Sequence, residues 1–252
     1  MSQPAVEVVL INWKRPENVA RIIDALRGGT TPCTITLVDN HPAPEFALAH
    51  AAMARVDRMY AWGHNLGAYS RYVPLAGYDH EFTYLPDDDM LPGARCLEHF
   101  LDHAPERFGV LGEIGRRLSK DGRYRQADVK RHTALTEVDL VVRAYFVRTR
   151  NLGHLPMTRW EFGLQGATDA EDDILLAVAM QRAGLACYLT PHSDDPETSV
   201  RREALPSPHA LSDRGDHKDR RTETFARARR LGWRPMRRRP GAIVRRALRR
   251  SR

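Results

Sequence analysis

The first forty residues carry the pattern that most restricts the fold of this chain. Residues 6–11 (VEVVLI) form a β-branched, apolar run typical of a strand buried on both faces of a parallel sheet. Pro16 then opens an amphipathic helix that a Gly-Gly pair ends, and residues 34–38 (TITLV) form a second apolar run. Parallel strands need a crossover connection of this kind. The sequence therefore predicts a βαβ unit and an α/β fold.

Polar residues follow both predicted strands. Asn12, Lys14 and Arg15 follow the first strand, and Asp39 and Asn40 follow the second. Ligands of open α/β sheets bind outside the carboxyl ends of the strands, so we expect these residues at the ligand edge. The chain has no GxGxxG or GxxxxGK[ST] loop, and neither a dinucleotide fold nor a P-loop enzyme is indicated.

Three consecutive aspartates form the first acidic group. Asp87, Asp88 and Asp89 follow a β-prone segment at residues 81–86 and precede a turn. Carboxylates crowded at a strand end repel one another, and a hard divalent cation held together with phosphate oxygens relieves that repulsion. The triplet is thus a candidate metal and phosphate site. A solvated acidic turn is the simpler alternative.

A second acidic group, Glu171, Asp172 and Asp173, opens a helix predicted over residues 170–184. Acidic residues stabilise a helix N-terminus, but three in a row exceed what capping needs. The remaining pattern predicts helices at 46–55 and 94–103 and strands at 56–62, 107–112, 138–147 and 185–190, with a looser segment at 158–168.

The formal charge of +7 is unevenly distributed. Residues 214–252 contain 16 Lys or Arg against 3 Asp or Glu, a net of +13, which leaves the other 213 residues at −6. We therefore predict a globular domain over residues 1–195 and a basic extension, partly irregular or helical, over residues 196–252. The extension is expected to contact a polyanion, either nucleic acid or an anionic membrane surface.

The sequence shows no membrane or disulfide pattern. No apolar stretch is long enough to span a bilayer, and residues 1–5 do not resemble a signal peptide, so a cytoplasmic location is expected. Cys33, Cys96 and Cys187 are odd in number and lack a CxxC partner, which favours small core residues over a disulfide framework or a zinc site.

The motifs fall in a familiar order. Asp39 is followed by Asn65-Leu-Gly with Arg71, by the aspartate triplet, and by Glu171-Asp-Asp on a helix that ends Gln181-Arg-Ala-Gly. This order resembles the GT-A glycosyltransferases, especially their family 2 group, over about residues 6–192. The resemblance implies a mixed, mostly parallel sheet flanked by helices and a metal-dependent sugar transfer from a nucleotide sugar.

The resemblance also implies roles for single residues. Asp87 and Asp89 would hold Mn²⁺ or Mg²⁺ on the donor diphosphate, and Asp88 would reach the donor ribose or sugar. His192 would complete the metal shell, with His217 as its rival.

For the donor, the resemblance implies that Asp39 binds the uracil or ribose of a UDP-sugar. Asn12, Arg15, Asn65 and Arg71 would lie near the base and phosphates. Each has a structural alternative: Asp39 can simply turn the chain, Asn65 can form a tight loop, and Arg71 can pair with a carboxylate.

For the acceptor, the resemblance implies that Asp172 or Asp173 is the base, with Glu171 as a third choice. Trp160 and Phe162 would form an acceptor platform, or else lie in the core.

The small size and compact motif set further resemble phage-type enzymes that glycosylate hydroxymethylated pyrimidines in DNA, which would act in the host cytoplasm. One alternative is a cell-envelope glycosyltransferase with a polysaccharide or lipid-linked acceptor. The other is a noncatalytic nucleic-acid-binding protein.

Overall fold

A computed structural model describes residues 6–236 except 42, 119–125, 129–131, 164–170, 207, 209 and 214. In chain order the strands are β1 Val6–Asn12, β2 Cys33–Asp39, β3 Arg58–Ala61, β4 Phe82–Pro86, β5 Met90–Leu91, β6 Val110–Gly112, β7 Gly115–Leu118, β8 Gln126–Asp128, β9 Thr136–Val138, β10 Leu140–Val141, β11 Ala144–Arg148, β12 Cys187–Leu189 and β13 Glu203–Ala204. The α-helices are α1 Pro16–Arg27, α2 His50–Met53, α3 Cys96–His103, α4 Leu155–Glu161, α5 Asp172–Arg182 and α6 His217–Arg230. Within these described residues, no helix combines the length and apolarity needed to cross a membrane.

The central sheet has eight strands in the order β3-β2-β1-β4-β11-β6-β12-β9. β1 pairs in parallel with β2 and β4, β2 with β3, and β6 with β12. β11 is antiparallel to β4 and β6, and β9 is antiparallel to β12. The sheet is therefore mixed but mostly parallel, as predicted, and the carboxyl ends of β1, β2 and β4 share one edge.

The N-terminal βαβ unit is confirmed. Every residue of β1 is buried, and α1 buries an apolar face that includes Val19, Ile22 and Leu26. Helix α1 packs this face on the sheet, and the register sets Asn12 beside Asp39 at the ends of their strands. Local sequence pattern is enough to form this unit because both strands and the helix bury their apolar residues together.

The predicted single strand at residues 138–147 is wrong, because the chain forms β9, β10 and β11 there. Asp139 is buried, and its carboxylate accepts hydrogen bonds from the backbone N–H groups of Leu118 (2.8 Å) and Met236 (2.6 Å). Arg143 adopts a left-handed conformation with φ 75°, which interrupts an extended strand before β11. β10 consequently belongs to a separate three-stranded sheet with β7 and β8.

The helix predicted at residues 46–55 is also wrong in length. Only α2 forms there, preceded by a 3-10 turn at Pro44–Phe46, and Ala52 is its single buried residue. Without an apolar face to pack, a longer helix has little to stabilise it. The segment predicted as loose at 158–168 instead begins with α4, and its last residues lie outside the described part of the chain.

Residues beyond 195 pack into the fold. Val200 and Leu205 are buried with the apolar face of α1, and Phe225 and Trp233 are buried with α5. The proposed boundary at residue 195 stays a prediction, but the packing of the core includes side chains from both sides of it.

Gly93→Ala should destabilise the fold by about 1–3 kcal/mol, the usual cost of forcing a methyl group into filled space. A Cβ at Gly93 would overlap the backbone carbonyl of Glu197, to which the Arg95 N–H also donates a 2.7 Å hydrogen bond. Gly153→Ala is the control, because its Cβ would have nothing within 4 Å. Urea denaturation measures both. Equal stabilities for the two variants would contradict the packing of residues 196–199 on this turn.

Candidate functional site

The two acidic groups meet around one buried side chain, the guanidinium of Arg71. Its Nη2 lies 3.3 Å from Asp87 Oδ1, and its Nε lies 3.7 Å from Asp172 Oδ2. Arg71 is 5% exposed, and the hydroxyl of Tyr72 donates a 3.2 Å hydrogen bond to Asp172. Arg71 thereby joins the carboxyl end of β4 to the first residue of α5. This pairing with carboxylates is the structural alternative to the role of Arg71 near the base and phosphates, and that role stays a prediction.

Burial makes the charged form of these carboxyls costly. It raises the pKa of Asp87 to about 8, helped by Asp172, Asp89 and Asp88 and opposed by Arg71. Burial likewise raises the pKa of Asp88 to about 6 against the effect of Arg15. The pKa of Asp172 is raised by burial too, with Arg71 again opposing. Burial of these carboxyls therefore favours the uptake of a proton or a cation.

Asp88 is held from outside the triplet by Arg15. The guanidinium of Arg15 pairs with the Asp88 carboxylate and donates hydrogen bonds of 3.1 and 3.0 Å to the carbonyl of Pro208. Asn18 donates to the carbonyls of Asp88 (2.9 Å) and Pro206 (2.7 Å). These contacts hold the segment after β13, which includes Pro206 and Pro208, against the aspartate triplet. Arg15 is 8% exposed and holds this segment in place, and its position near the donor base and phosphates stays a prediction.

Each acid of the second group has its own arginine. Glu171 Oε2 lies 3.5 Å from Arg220, and Arg221 binds both oxygens of Asp173 at 3.1 and 2.5 Å. Asp172 shares Arg71 with the triplet. The sequence analysis missed Arg220 and Arg221, because α6 lies in the region predicted as an extension. The only sequence signal for them is the pair of consecutive arginines itself.

The residues predicted to lie near the nucleoside have two different roles in the fold: Asn12 orients Asp39, whereas Asn65 shapes its own loop. Asn12 donates to Asp39 Oδ1 (3.1 Å) and to the Phe46 carbonyl (2.8 Å), so it orients the half-buried Asp39. Burial raises the pKa of Asp39, with the hydrogen bond from Asn12 opposing that shift.

Asn65 instead builds its own loop. Its Oδ1 accepts from the Gly67 N–H (2.7 Å) and from the Asn40 side chain (2.9 Å), while Gly67 has φ 69°. The tight-loop alternative accounts for Asn65, and the positive φ requires the glycine beside it.

The predicted metal set is only partly assembled. Asp87 and Asp89 belong to one turn, but His192 follows β12, three strand spacings or about 14 Å across the sheet from β4. His192 Nε2 lies 3.3 Å from Asp194 Oδ1, and among the described residues Asp87 and Asp89 do not belong to a group of three His, Cys, Asp or Glu ligand atoms within 4.8 Å of one another. The rival His217 begins α6, and Arg221 and Asp173 both influence its pKa, which burial lowers. His217 is therefore the histidine nearer the second acidic group.

The described residues contain one compact group of three potential metal ligands, Glu7, Asp79 and His80. This group lies at the opposite end of the strands from the two acidic groups, because Glu7 is the second residue of β1. Arg58 donates a 2.8 Å hydrogen bond to Glu7, and Thr36 donates one of 2.5 Å, so this buried carboxylate already has a cation and a donor. This group is an ion-pair network that stabilises the amino ends of the strands.

The two aromatic residues of the proposed acceptor platform differ. Trp160 on α4 is 66% exposed, whereas Phe162 is 4% exposed and packs in the core with α5. The platform prediction is therefore wrong for Phe162, and Trp160 alone can meet a ligand.

Comparisons with known proteins support the fold. No protein-family model and no curated protein matches the sequence. Glucosyl-3-phosphoglycerate synthase from Mycobacterium tuberculosis, solved with Mn²⁺, UDP and glucosyl-3-phosphoglycerate, matches 89% of this chain and 80% of its own at 14% identity and a TM-score of 0.59. The chain has the GT-A fold.

Two further solved structures are also similar to this chain in fold. A mannosyltransferase from Pyrobaculum calidifontis, solved with GDP-Man and Mn²⁺, matches 93% of this chain and 67% of its own at 16% identity and a TM-score of 0.56. S. aureus TarS 1-349, solved with UDP-GlcNAc, matches 81% of this chain at 12% identity and a TM-score of 0.51. The match spans 62% of TarS 1-349, less than two thirds of its length.

Arg71→Met should destabilise the protein by about 3–5 kcal/mol at pH 8, since it leaves buried carboxylates without their cation. The loss should be smaller at pH 5. Asp87 already has a folded pKa of about 8, above its ordinary value, so its contribution to stability is full at low pH and falls as pH rises toward 8. Removing Arg71 raises that pKa further, and protonation at pH 5 removes the charge.

Urea denaturation at both pH values measures this difference. Arg55→Met is the control, because Arg55 pairs with Asp24 while 43% exposed, and such pairs contribute less than about 1 kcal/mol. A pH-independent loss in Arg71→Met would contradict the bridging role.

Proposed function

We propose that this protein transfers a sugar from a nucleoside-diphosphate sugar to an acceptor hydroxyl with the help of a divalent metal ion. The observation that carries the proposal is the convergence of two acidic groups on Arg71 at the carboxyl edge of a GT-A sheet. One group suits a metal-bound diphosphate and the other a general base. The three similar structures, solved with nucleotides or nucleotide sugars, support the same chemistry.

The residues at the triplet fit a hard cation. Their donors are carboxylate oxygens, which Mg²⁺ and Mn²⁺ prefer, and burial, which raises the pKa of Asp87, makes its charged form one that a nearby cation would stabilise. Asp87 and Asp89 would hold the metal, with Asp88 kept in place by Arg15 and turned toward the donor ribose or sugar. When bound, the metal stabilises charge on the departing diphosphate. His192, which follows β12, and its rival His217, which begins α6, are the two proposed further ligands.

Asp172 is the proposed base. Arg221 binds Asp173 through both carboxylate oxygens, so Asp173 is a positioning residue, whereas the closest cation to Asp172 lies 3.7 Å away. The raised pKa of Asp172 also brings it closer to neutrality, where a general base accepts a proton most effectively. Asp39, oriented by Asn12, is the proposed contact for the nucleoside. We propose a UDP-sugar as donor, because two of the three similar structures contain UDP or UDP-GlcNAc.

For the acceptor, the net charge of +13 in residues 214–252 favours a polyanion, and we propose a hydroxymethylated pyrimidine in DNA. A cell-envelope acceptor and a noncatalytic DNA-binding role are the competing hypotheses. Labelled nucleotide sugars with Mn²⁺ and either hydroxymethylated DNA or a lipid extract separate them. Label in the DNA supports the proposed acceptor, and label in the lipid extract supports the cell-envelope acceptor instead. Label in neither, without donor hydrolysis, favours the noncatalytic role.

Asp87→Asn and Asp89→Asn should each weaken Mn²⁺-dependent binding of UDP at least tenfold, because each removes an anionic oxygen from the proposed metal site. Isothermal titration with and without Mn²⁺ measures the effect. Asp194→Asn is the matched control: it makes the same chemical change on a fully exposed residue beside His192. If the two triplet variants bind like Asp194→Asn, the metal assignment is wrong.

Asp172→Asn should lower kcat by about 10²–10⁴-fold, the usual contribution of a general base, while UDP binding stays within about twofold of wild type. Asp173→Asn should lower thermal stability more than Asp172→Asn, because it loses a bidentate partner of Arg221. Single-turnover kinetics and melting curves on both variants check this. A larger kcat loss in Asp173→Asn at equal folding would reverse the assignment.

A further inference from the structure

The last described residues are fixed to the final turn of α5. Trp233 is 2% exposed and packs on Phe225 with ring centroids 5.3 Å apart. The Gln181 side chain then binds the backbone of Arg234 twice, donating to its carbonyl and accepting from its N–H, both at 2.8 Å. The last described residues, which directly precede the arginine-rich sequence, are therefore held at a defined point, which we call the exit.

One buried carboxylate ties this exit to a second basic segment. Asp139 accepts from the N–H of Met236 at the exit and from the N–H of Leu118 at the end of β7. Residues 116–131 contain 7 Lys or Arg against 2 Asp, and residues 237–252 contain 8 Arg and no acidic residue. Two basic segments far apart in sequence thus start within reach of one side chain.

The described arginines around this point form hydrogen bonds to backbone carbonyls: Arg234 donates to those of Arg229 and Trp233 (both 2.8 Å), and Arg117 donates to that of Glu137 (3.4 Å). Arg229, Arg230 and Arg234 are exposed and Arg117 is half-buried. Among the described residues, none of these four forms an ion pair within 4.0 Å of an acidic side chain. We call these four residues the basic exit surface.

We propose that the basic exit surface binds the phosphates of a nucleic acid at a site separate from the sugar-transfer site. Asp172 and Gln181 lie nine residues apart on α5, which is about 14 Å of helix. β9, which precedes Asp139, lies four strand spacings from β4, or about 19 Å across the sheet. A polymer held there stays near the transfer site at a high effective concentration without occupying it.

The composition of the surface favours nucleic acid over a membrane. Arginine matches phosphate oxygens in a bidentate manner, and binding at a lipid interface additionally needs buried apolar area. The exposed large apolar side chains of the described residues are Met59, Val73, Met157 and Trp160. None of them lies on β7, on α6 or in residues 231–236.

The test uses the full chain without donor, so it is independent of glycosyl transfer. Arg117→Gln/Arg229→Gln/Arg230→Gln keeps residues 237–252 intact. We expect it to lower affinity for a fluorescent 20-bp duplex at least tenfold. The slope of log K against log salt should become less steep by about 0.9 per lost phosphate contact. Unchanged affinity would overturn the proposal, because residues 237–252 alone would then explain binding.

The matched control is Arg21→Gln/Arg55→Gln/Arg95→Gln, which removes three charges from side chains that are 43–49% exposed on other elements. Its affinity should stay within about twofold of wild type, and an equal loss would mean that net charge alone decides. Gln181→Ala changes no charge and should weaken binding, since it releases the exit; no change there would overturn the fixed exit. Tighter binding to phosphatidylglycerol vesicles than to the duplex would overturn the nucleic-acid assignment.

Discussion

The guanidinium of Arg71 is the interaction on which the arrangement of the site depends. It lies between a carboxylate that ends a sheet strand and a carboxylate that begins a helix, and it faces the ring of Tyr145 at 5.7 Å. Although burial opposes its charge, Asp172 and Asp87 raise the pKa of Arg71. A planar guanidinium can reach two carboxylates through different nitrogens, which a lysine ammonium cannot do with the same geometry. The relative position of the two acidic groups therefore follows from one buried cation.

Helix α6 supplies the other cations that pair with the second acidic group. Arg220 and Arg221 neutralise Glu171 and Asp173 and leave Asp172 to Arg71. Three adjacent acids on one helix turn thereby acquire different surroundings, and the most weakly paired of them is the one that faces the triplet. The residues that distinguish them lie beyond the predicted boundary at 195, so the extension takes part in building the site.

The sequence pattern predicted the elements that are formed by residues close together along the chain. The run at residues 6–11 and the helix after Pro16 bury their apolar residues within one βαβ unit, and both were predicted within one or two residues. The order of the acidic groups also predicted the GT-A fold. In contrast, residues 138–147 were predicted as one strand, but Asp139, bound to backbone groups 21 and 97 residues away, and Arg143, with φ 75°, break them into separate elements. Strand propensity carries no information about hydrogen-bond partners so distant in the sequence.

The same limit applies to the predicted donor contacts. Arg15 and Asn65 follow predicted strands or loops at the correct edge, and nothing in their neighbours indicates that Arg15 binds the Pro208 carbonyl or that Asn65 binds Gly67. A polar residue at the ligand edge has two uses, to contact the ligand or to hold the backbone that does. Sequence position identifies the edge but not the use, because the use depends on which hydrogen-bond partners the fold brings within reach.

Helix α5 also separates two opposite charges that would otherwise attract each other. Its first turn carries the acidic group, its last turn holds the exit of the arginine-rich segment, and α6 runs parallel to it, with Arg221 at Asp173 and Arg234 at Gln181. The two ends lie about 14 Å apart along the helix axis. The exposed Arg234 is therefore too far from Asp172 and Asp173 to pair with them. Helix α5 thus keeps the anchored residues 233–236 apart from the acidic group, so the described arginines at this end do not neutralise its carboxylates.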